Sequence, residues 1–154
     1  MSKVLSLDYE FEHDYSLIAI TSTLEDYRLA YYLNRNLNIN LNSDPKGLEF
    51  TNKNCSFIVF NYICNLNFYS WSLLANKHIF TVINTDTNYL FEEDSKTNYL
   101  IDEKKEVDYF LKINGDFNTN ALQSLIQNIK KIKGVITSYT IDPLSLKSKD
   151  YLIF

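Results

Sequence analysis

The stretch Ile101–Ile113, IDEKKEVDYFLKI, carries the sharpest pattern of apolar and polar positions in the chain. Val107, Tyr109, Leu111 and Ile113 share one parity, and Asp108, Phe110 and Lys112 share the other. Strict alternation of this kind predicts a half-buried strand over Val107–Ile113. Leu122, Leu125, Ile126, Ile129 and Ile132 follow at helical spacing and predict an amphipathic helix over Asn120–Lys133. Lys130, Lys131 and Lys133 suit the negative end of its dipole, and Gly134 suits a left-handed cap. Val135–Asp142 reads as a strand that Pro143 ends. The strand–helix–strand order implies a crossover between parallel strands, right-handed by the general rule.

The N-terminal third shows the same order. Leu7–Ile20 begins with the acids Asp8, Glu10, Glu12 and Asp14 alternating with aromatic residues, then becomes apolar, and reads as a long strand. Ser22 and Glu25 fit a capping box, and Asp26 adds favourable charge to the first turn of a helix over Leu24–Leu37. Leu29, Ala30, Leu33 and Leu37 form one face of this helix; Leu24, Tyr27 and Tyr31 lie nearly opposite. A helix apolar on two sides packs between two things, the sheet and something else. The residues between the helices predict a turn at Asp44-Pro45-Lys46-Gly47, a short strand at Leu48–Thr51 and a hairpin of Cys55–Cys64 with Phe68–Ala75. A further strand is expected at Ile79–Ile83, and an acidic surface loop over Asn84–Thr97, interrupted by Tyr89–Phe91.

These elements make one domain of 154 residues with an α+β fold. A mostly antiparallel sheet is covered by two main helices, with a ferredoxin-like arrangement plus an extra hairpin as the leading topology. An aromatic content of 15% favours sheet.

Charge removes some functions. The net charge is −4, and the one basic cluster is Lys130, Lys131 and Lys133, which argues against a DNA partner and disfavours RNA. The RNA reading rests on Tyr62, Tyr69, Trp71 and Phe110 stacking bases on an open sheet face. No apolar run reaches the roughly 20 residues of a membrane span, and the first residues lack the apolar core of a signal peptide. A cytoplasmic protein with no membrane partner is expected. Cys55 and Cys64, nine positions apart, fall on opposite parities of the predicted strand and are expected to stay reduced.

Candidate chemistry is sparse. No phosphate loop, dinucleotide fingerprint, HExxH or CxxC is present, and no cofactor is expected. His13 and His78 read as ordinary strand or surface residues. Arg28, beside Asp26, offers five donors to a carboxylate or phosphate, or to a structural acid such as Asp108. Glu103 and Asp108 sit next to apolar strand positions, where a carboxylate pair does proton work or is simply hydrogen-bonded. Asp26, Arg28, Glu103, Asp108 and Tyr109 are therefore the candidate polar cluster, functional or structural.

Ile101, Glu103, Val107, Asp108 and Tyr109 also resemble the signature of the bacterial IPExxxVDY family, with Asp102 in place of the proline. Asp26-Tyr27-Arg28-Leu29, Leu33-Asn34 and Ala75-Asn76-Lys77 are similar to further parts of that family. The resemblance implies a small cytoplasmic bacterial protein without an assigned activity, and it supplies no catalytic residues. The leading expectation is a non-enzymatic interaction or adaptor domain whose partner is a protein, a second copy of the chain included. The alternatives are a small enzyme or ligand-binding domain using Arg28 with Glu103 and Asp108, and an RNA-binding accessory protein.

Overall fold

The computed structural model describes residues 14–50, 55–64, 66, 69–84, 92–115 and 117–154. The chain runs β1 (Ser16–Ser22), α1 (Asp26–Leu37), β2 (Asn42–Ser43), β3 (Leu48–Phe50), β4 (Cys55–Phe57), β5 (Val59–Cys64) and β6 (Tyr69–Ala75). It continues through β7 (Lys77–Asn84), β8 (Glu92–Tyr99), β9 (Tyr109–Asn114), α2 (Thr119–Lys130) and β10 (Val135–Ile141), with short 3-10 turns at Asp102–Lys104, Pro143–Ser145 and Lys149–Leu152.

The main sheet has six strands in the order β10-β1-β9-β6-β5-β2, every neighbouring pair antiparallel. β9 and β10 are therefore parallel to each other, but β1 lies between them. The crossover through α2 spans that intervening strand. The four strands β10-β1-β9-β6 reproduce the split β-α-β order of the ferredoxin-like arrangement. β5 and β2 extend its edge, and β3–β4 and β7–β8 are two separate ribbons.

Both helices cover one face of this sheet. Ile18, Ile20, Leu73, Leu111 and Ile113 meet Leu29 and Leu33 of α1 and Leu125, Ile126 and Ile129 of α2. A second core lies on the opposite face, where Leu17, Ala19, Leu74 and Phe110 meet Phe57, Leu100, Ile101, Val107, Leu146 and Leu152. β9 is thus buried on both faces and not half-buried, Lys112 included. Val107 belongs to the second core, away from Tyr109, Leu111 and Ile113. The alternation misplaces it because the strand begins only at Tyr109 and the chain turns before it.

Other boundaries move for local reasons. The described part of the first strand begins after the row Asp8, Glu10 and Glu12, which lies outside the described residues, as do His13, Thr51, Phe68 and Tyr89–Phe91. Ser22 caps no helix. It stays paired with Val135 in β1, its hydroxyl donates to the Gly134 carbonyl and accepts from the Leu24 N–H, and α1 starts after Glu25 without a side-chain cap. α1 ends at Asn38, which adopts φ 55°. α2 is capped by Asn118, which accepts the Ala121 N–H at 2.7 Å, and it closes at Lys130. Gly134 is not its left-handed cap but part of the following turn, at φ 106°, with the Leu24 side chain 2.7 Å from where a Cβ would stand.

The strand expected over Cys55–Cys64 breaks at Ile58, whose carbonyl accepts the Ala75 N–H. Cys55 pairs with Phe50 and Cys64 with Tyr69, in different sheets. The loop expected over Asn84–Thr97 contains most of β8, paired with β7 along its whole length. A ribbon of two strands need not bury a face, so Lys96 and Thr97 stay exposed and no apolar period marks it.

Ile129 is fully buried between the helices and the sheet. Ile129→Ala should destabilise the protein by about 2–5 kcal/mol. An unchanged denaturant midpoint would contradict the packing.

Candidate functional site

Residues 100–108 form an irregular segment between β8 and β9, and a buried asparagine organises it. Asn76, in the single position between β6 and β7, is fully buried. Its Nδ2 donates to the carbonyls of Lys104 (2.8 Å) and Val107 (2.9 Å), and its Oδ1 accepts the Ile101 N–H (2.8 Å). Its backbone N–H donates to the Asp108 carbonyl and its carbonyl accepts the Leu100 N–H. Every donor of the residue is used. These bonds seat Ile101 and Val107 in the second core.

Asp108 then meets β1. One carboxylate oxygen accepts the Ser22 N–H at 2.9 Å, the other accepts from Lys77 Nζ at 2.9 Å. The hydrogen bond to Asp108 raises the Lys77 pKa. Tyr109 donates its phenol O–H to the Leu24 carbonyl at 2.8 Å, just before α1. Burial first, then the charges of Asp26, Asp108 and Glu25, push the Tyr109 pKa up to about 12. Ser22, Leu24, Glu25, Lys77, Asp108 and Tyr109 are the main walls of a cleft of about 260 Å³ at this point.

The five candidate residues do not converge. Asp26 lies close enough to act on Tyr109, and Asp108 and Tyr109 line the cleft. Arg28 and Glu103 do not line it. Arg28 sits on the exposed side of α1, and the partner of Asp108 is Lys77 instead. Arg28 points outward because Leu29, Ala30 and Leu33 claim the inner side of the helix. Glu103 accepts from the N–H and the hydroxyl of Ser148, both at 2.8 Å, and ties the segment to the C-terminal turns. Burial works to raise its pKa, but these hydrogen bonds outweigh it and the net shift is downward. The proposed acid pair of Glu103 and Asp108 is thus split between separate partners.

The aromatic side chains of the RNA reading do not form one open face: Phe110 and Trp71 are buried, and Tyr62 and Tyr69 are half-buried against the helix-side core. His78 lies between Phe57 and Phe80. Among the described residues no three His, Cys, Asp or Glu side chains gather at one point, and no helix is long and apolar enough to cross a membrane.

The sequence gives little sign of Lys112. It is 4% exposed, with its Nζ donating to the Leu152 carbonyl at 2.6 Å. The rings of Tyr15 and Phe154 lie 4.6 and 4.1 Å from the ammonium. Burial brings its pKa down to about 8. Its alternation with Phe110 was the available signal, since a lysine sharing a face with a buried aromatic residue must itself be covered.

No family model, no curated protein and no solved structure matches this chain.

Asn76→Ala leaves the buried Val107 carbonyl and the buried Ile101 N–H without their partners and takes one of two donors from the Lys104 carbonyl, and should cost on the order of 3–5 kcal/mol. Loss of less than a tenth of that in a denaturant titration would show that the segment repacks.

The pH dependence has a definite sign. Between about 8 and 10.5 the unfolded chain holds the Lys112 proton that the folded chain releases. Stability should therefore rise through that window, by roughly 2–3 kcal/mol. Above about 10 the unfolded Tyr109 phenol ionises before the folded one, and its contribution falls. Lys112→Met should flatten the rise, read from urea midpoints across the window. The same rise in that variant would assign it to another group.

Proposed function

We propose that this chain is a non-enzymatic interaction domain that docks a protein partner through the outer side of α1. The observation that carries this reading is the exposure of Tyr27, Tyr31 and Tyr32, at 56%, 59% and 36%. Tyr31 and Tyr32 hold each other edge-to-face at 5.4 Å, and Arg28 and Arg35 flank them, both exposed. Tyrosine and arginine supply much of the binding energy at protein interfaces, because each brings a large rigid surface with a polar end. Leu29, Ala30 and Leu33 hold the opposite side of α1 rigidly on the sheet. The helix apolar on two sides therefore has one side filled and one side available.

The enzyme reading loses support by comparison. The Asp108 carboxylate in the cleft is already bonded to Lys77 and Ser22, and the phenol beside it is held in its neutral form. Membership of the IPExxxVDY family and a cytoplasmic location belong to this proposal. Ile101, Glu103, Val107, Asp108 and Tyr109 would then mark a structural clasp.

The test is a Tyr27→Ser, Tyr31→Ser double variant. Both residues are exposed, so stability should change by less than about 0.5 kcal/mol each. Retention of the proteins that co-purify with the wild-type chain should fall at least about tenfold, equivalent to 1.4 kcal/mol. Undiminished retention by a folded double variant would refute the α1 reading.

A further inference from the structure

We infer that the outer side of α1 receives an acidic helix of a partner protein, with one apolar side chain of that helix seated between Tyr31 and Tyr32 and two of its carboxylates on Arg28 and Arg35. The inference rests on the α1 reading above and adds to it the chemistry that the partner must carry.

Arg28 and Arg35 are the only arginines in the chain. They stand seven positions apart on α1, which is close to two turns and about 10 Å along the axis. Tyr31 and Tyr32 lie between them, three or four positions from each. All four side chains are exposed. Residues at i, i+3, i+4 and i+7 on one side of a helix outline the hole that receives a single knob of a facing helix. Here the two tyrosine rings meet edge-to-face at 5.4 Å, so the hole has an aromatic floor that suits an apolar knob. Its two ends are cationic.

The chain itself does not neutralise those ends. No acidic residue occurs from Tyr27 to Ser43. The two acids at the start of the helix are engaged elsewhere: Glu25 lines the cleft beside Lys77 and Asp108, and Asp26 acts on Tyr109. Among the described residues neither guanidinium has an ion pair or a side-chain hydrogen bond.

Charge and spacing then select the occupant. A guanidinium holds a carboxylate through two parallel hydrogen bonds. Carboxylates seven positions apart on a facing helix span the same two turns, with room for the knob between them. A nucleic acid would also offer anions, but a chain of net charge −4 repels a polyanion as a whole. A second copy of α1 does not fit, because hole against hole sets arginine beside arginine.

The probe is an alanine-based helical peptide of about 20 residues, long enough to hold its helix. It carries a central leucine, with one glutamate four positions before it and another three positions after it. The control peptide has glutamine at both glutamate positions. Fluorescence anisotropy with the full chain should show the glutamate peptide binding at least tenfold more tightly than the control, and the difference should shrink as salt is raised. The double variant Arg28→Gln, Arg35→Gln should bind both peptides alike and keep the wild-type circular dichroism spectrum. Equal affinities for the two peptides, no measurable binding of either, a preference that survives in the arginine variant, or tighter binding of an RNA duplex would each overturn the inference. Co-purifying proteins that are lost from the tyrosine variant but fully retained by the arginine variant would leave the α1 reading standing and sink this one.

Discussion

The amide of Asn76 is the contact on which the rest of the structure depends. The irregular backbone between β8 and the buried strand β9 carries N–H and C=O groups that no ladder can satisfy, and each would cost about 1–3 kcal/mol if buried and left alone. An amide is the side chain that offers two donors and an acceptor in one plane without charge. Asn76 spends both donors on Lys104 and Val107 and its acceptor on Ile101. With those three backbone points fixed, the side chains of Ile101 and Val107 have one direction to go, into the second core. Asp108 is the next residue and is delivered to the end of β1.

That second core explains the least expected feature of the chain. A sheet of this kind usually needs only one covered face. Here the other face is closed by pieces without long helices: the β3–β4 ribbon, the Asn76 segment and the C-terminal turns. Such pieces hold weakly by apolar area alone, and polar ties supplement them. Glu103 grips Ser148 at one point and Lys112 grips the Leu152 carbonyl at another. Burying an ammonium without a carboxylate is costly. The aromatic faces of Tyr15 and Phe154 offset part of that cost, since each presents negative potential to the cation.

Where the hydrophobic period is long, the sequence reads correctly. The Leu122–Ile132 stripe locates α2, and the hairpin of β5 with β6 and the α+β class follow from similar patterns. Where contacts are made by polar groups far apart in sequence, the pattern is silent. Asp108 and Lys77 are 31 positions apart, and nothing in either neighbourhood prefers Lys77 to Arg28 as the partner. Asn76 is one asparagine among many in this chain, and only its position two residues after the buried run Trp71–Leu74 hints that water is excluded there. β8 escaped for the opposite reason: Lys96 and Thr97, on opposite faces of the strand, are both exposed, and no apolar period marks the sequence.

The electrostatics at Tyr109 bear on what the candidate cluster is for. A catalytic phenol acting as base or nucleophile needs its pKa brought down towards the working pH. Burial and the charges of Asp26, Asp108 and Glu25 move Tyr109 the other way, to about 12. It is therefore a fixed donor to the Leu24 carbonyl over the whole physiological range. The same acids that resemble a reactive cluster in the sequence thus keep one hydrogen bond permanently made. That bond joins the start of β9 to the approach of α1, and Asp108 joins the same strand end to Ser22. α1 leaves the sheet from a point held on both sides, which fixes how the helix presents its exposed tyrosines.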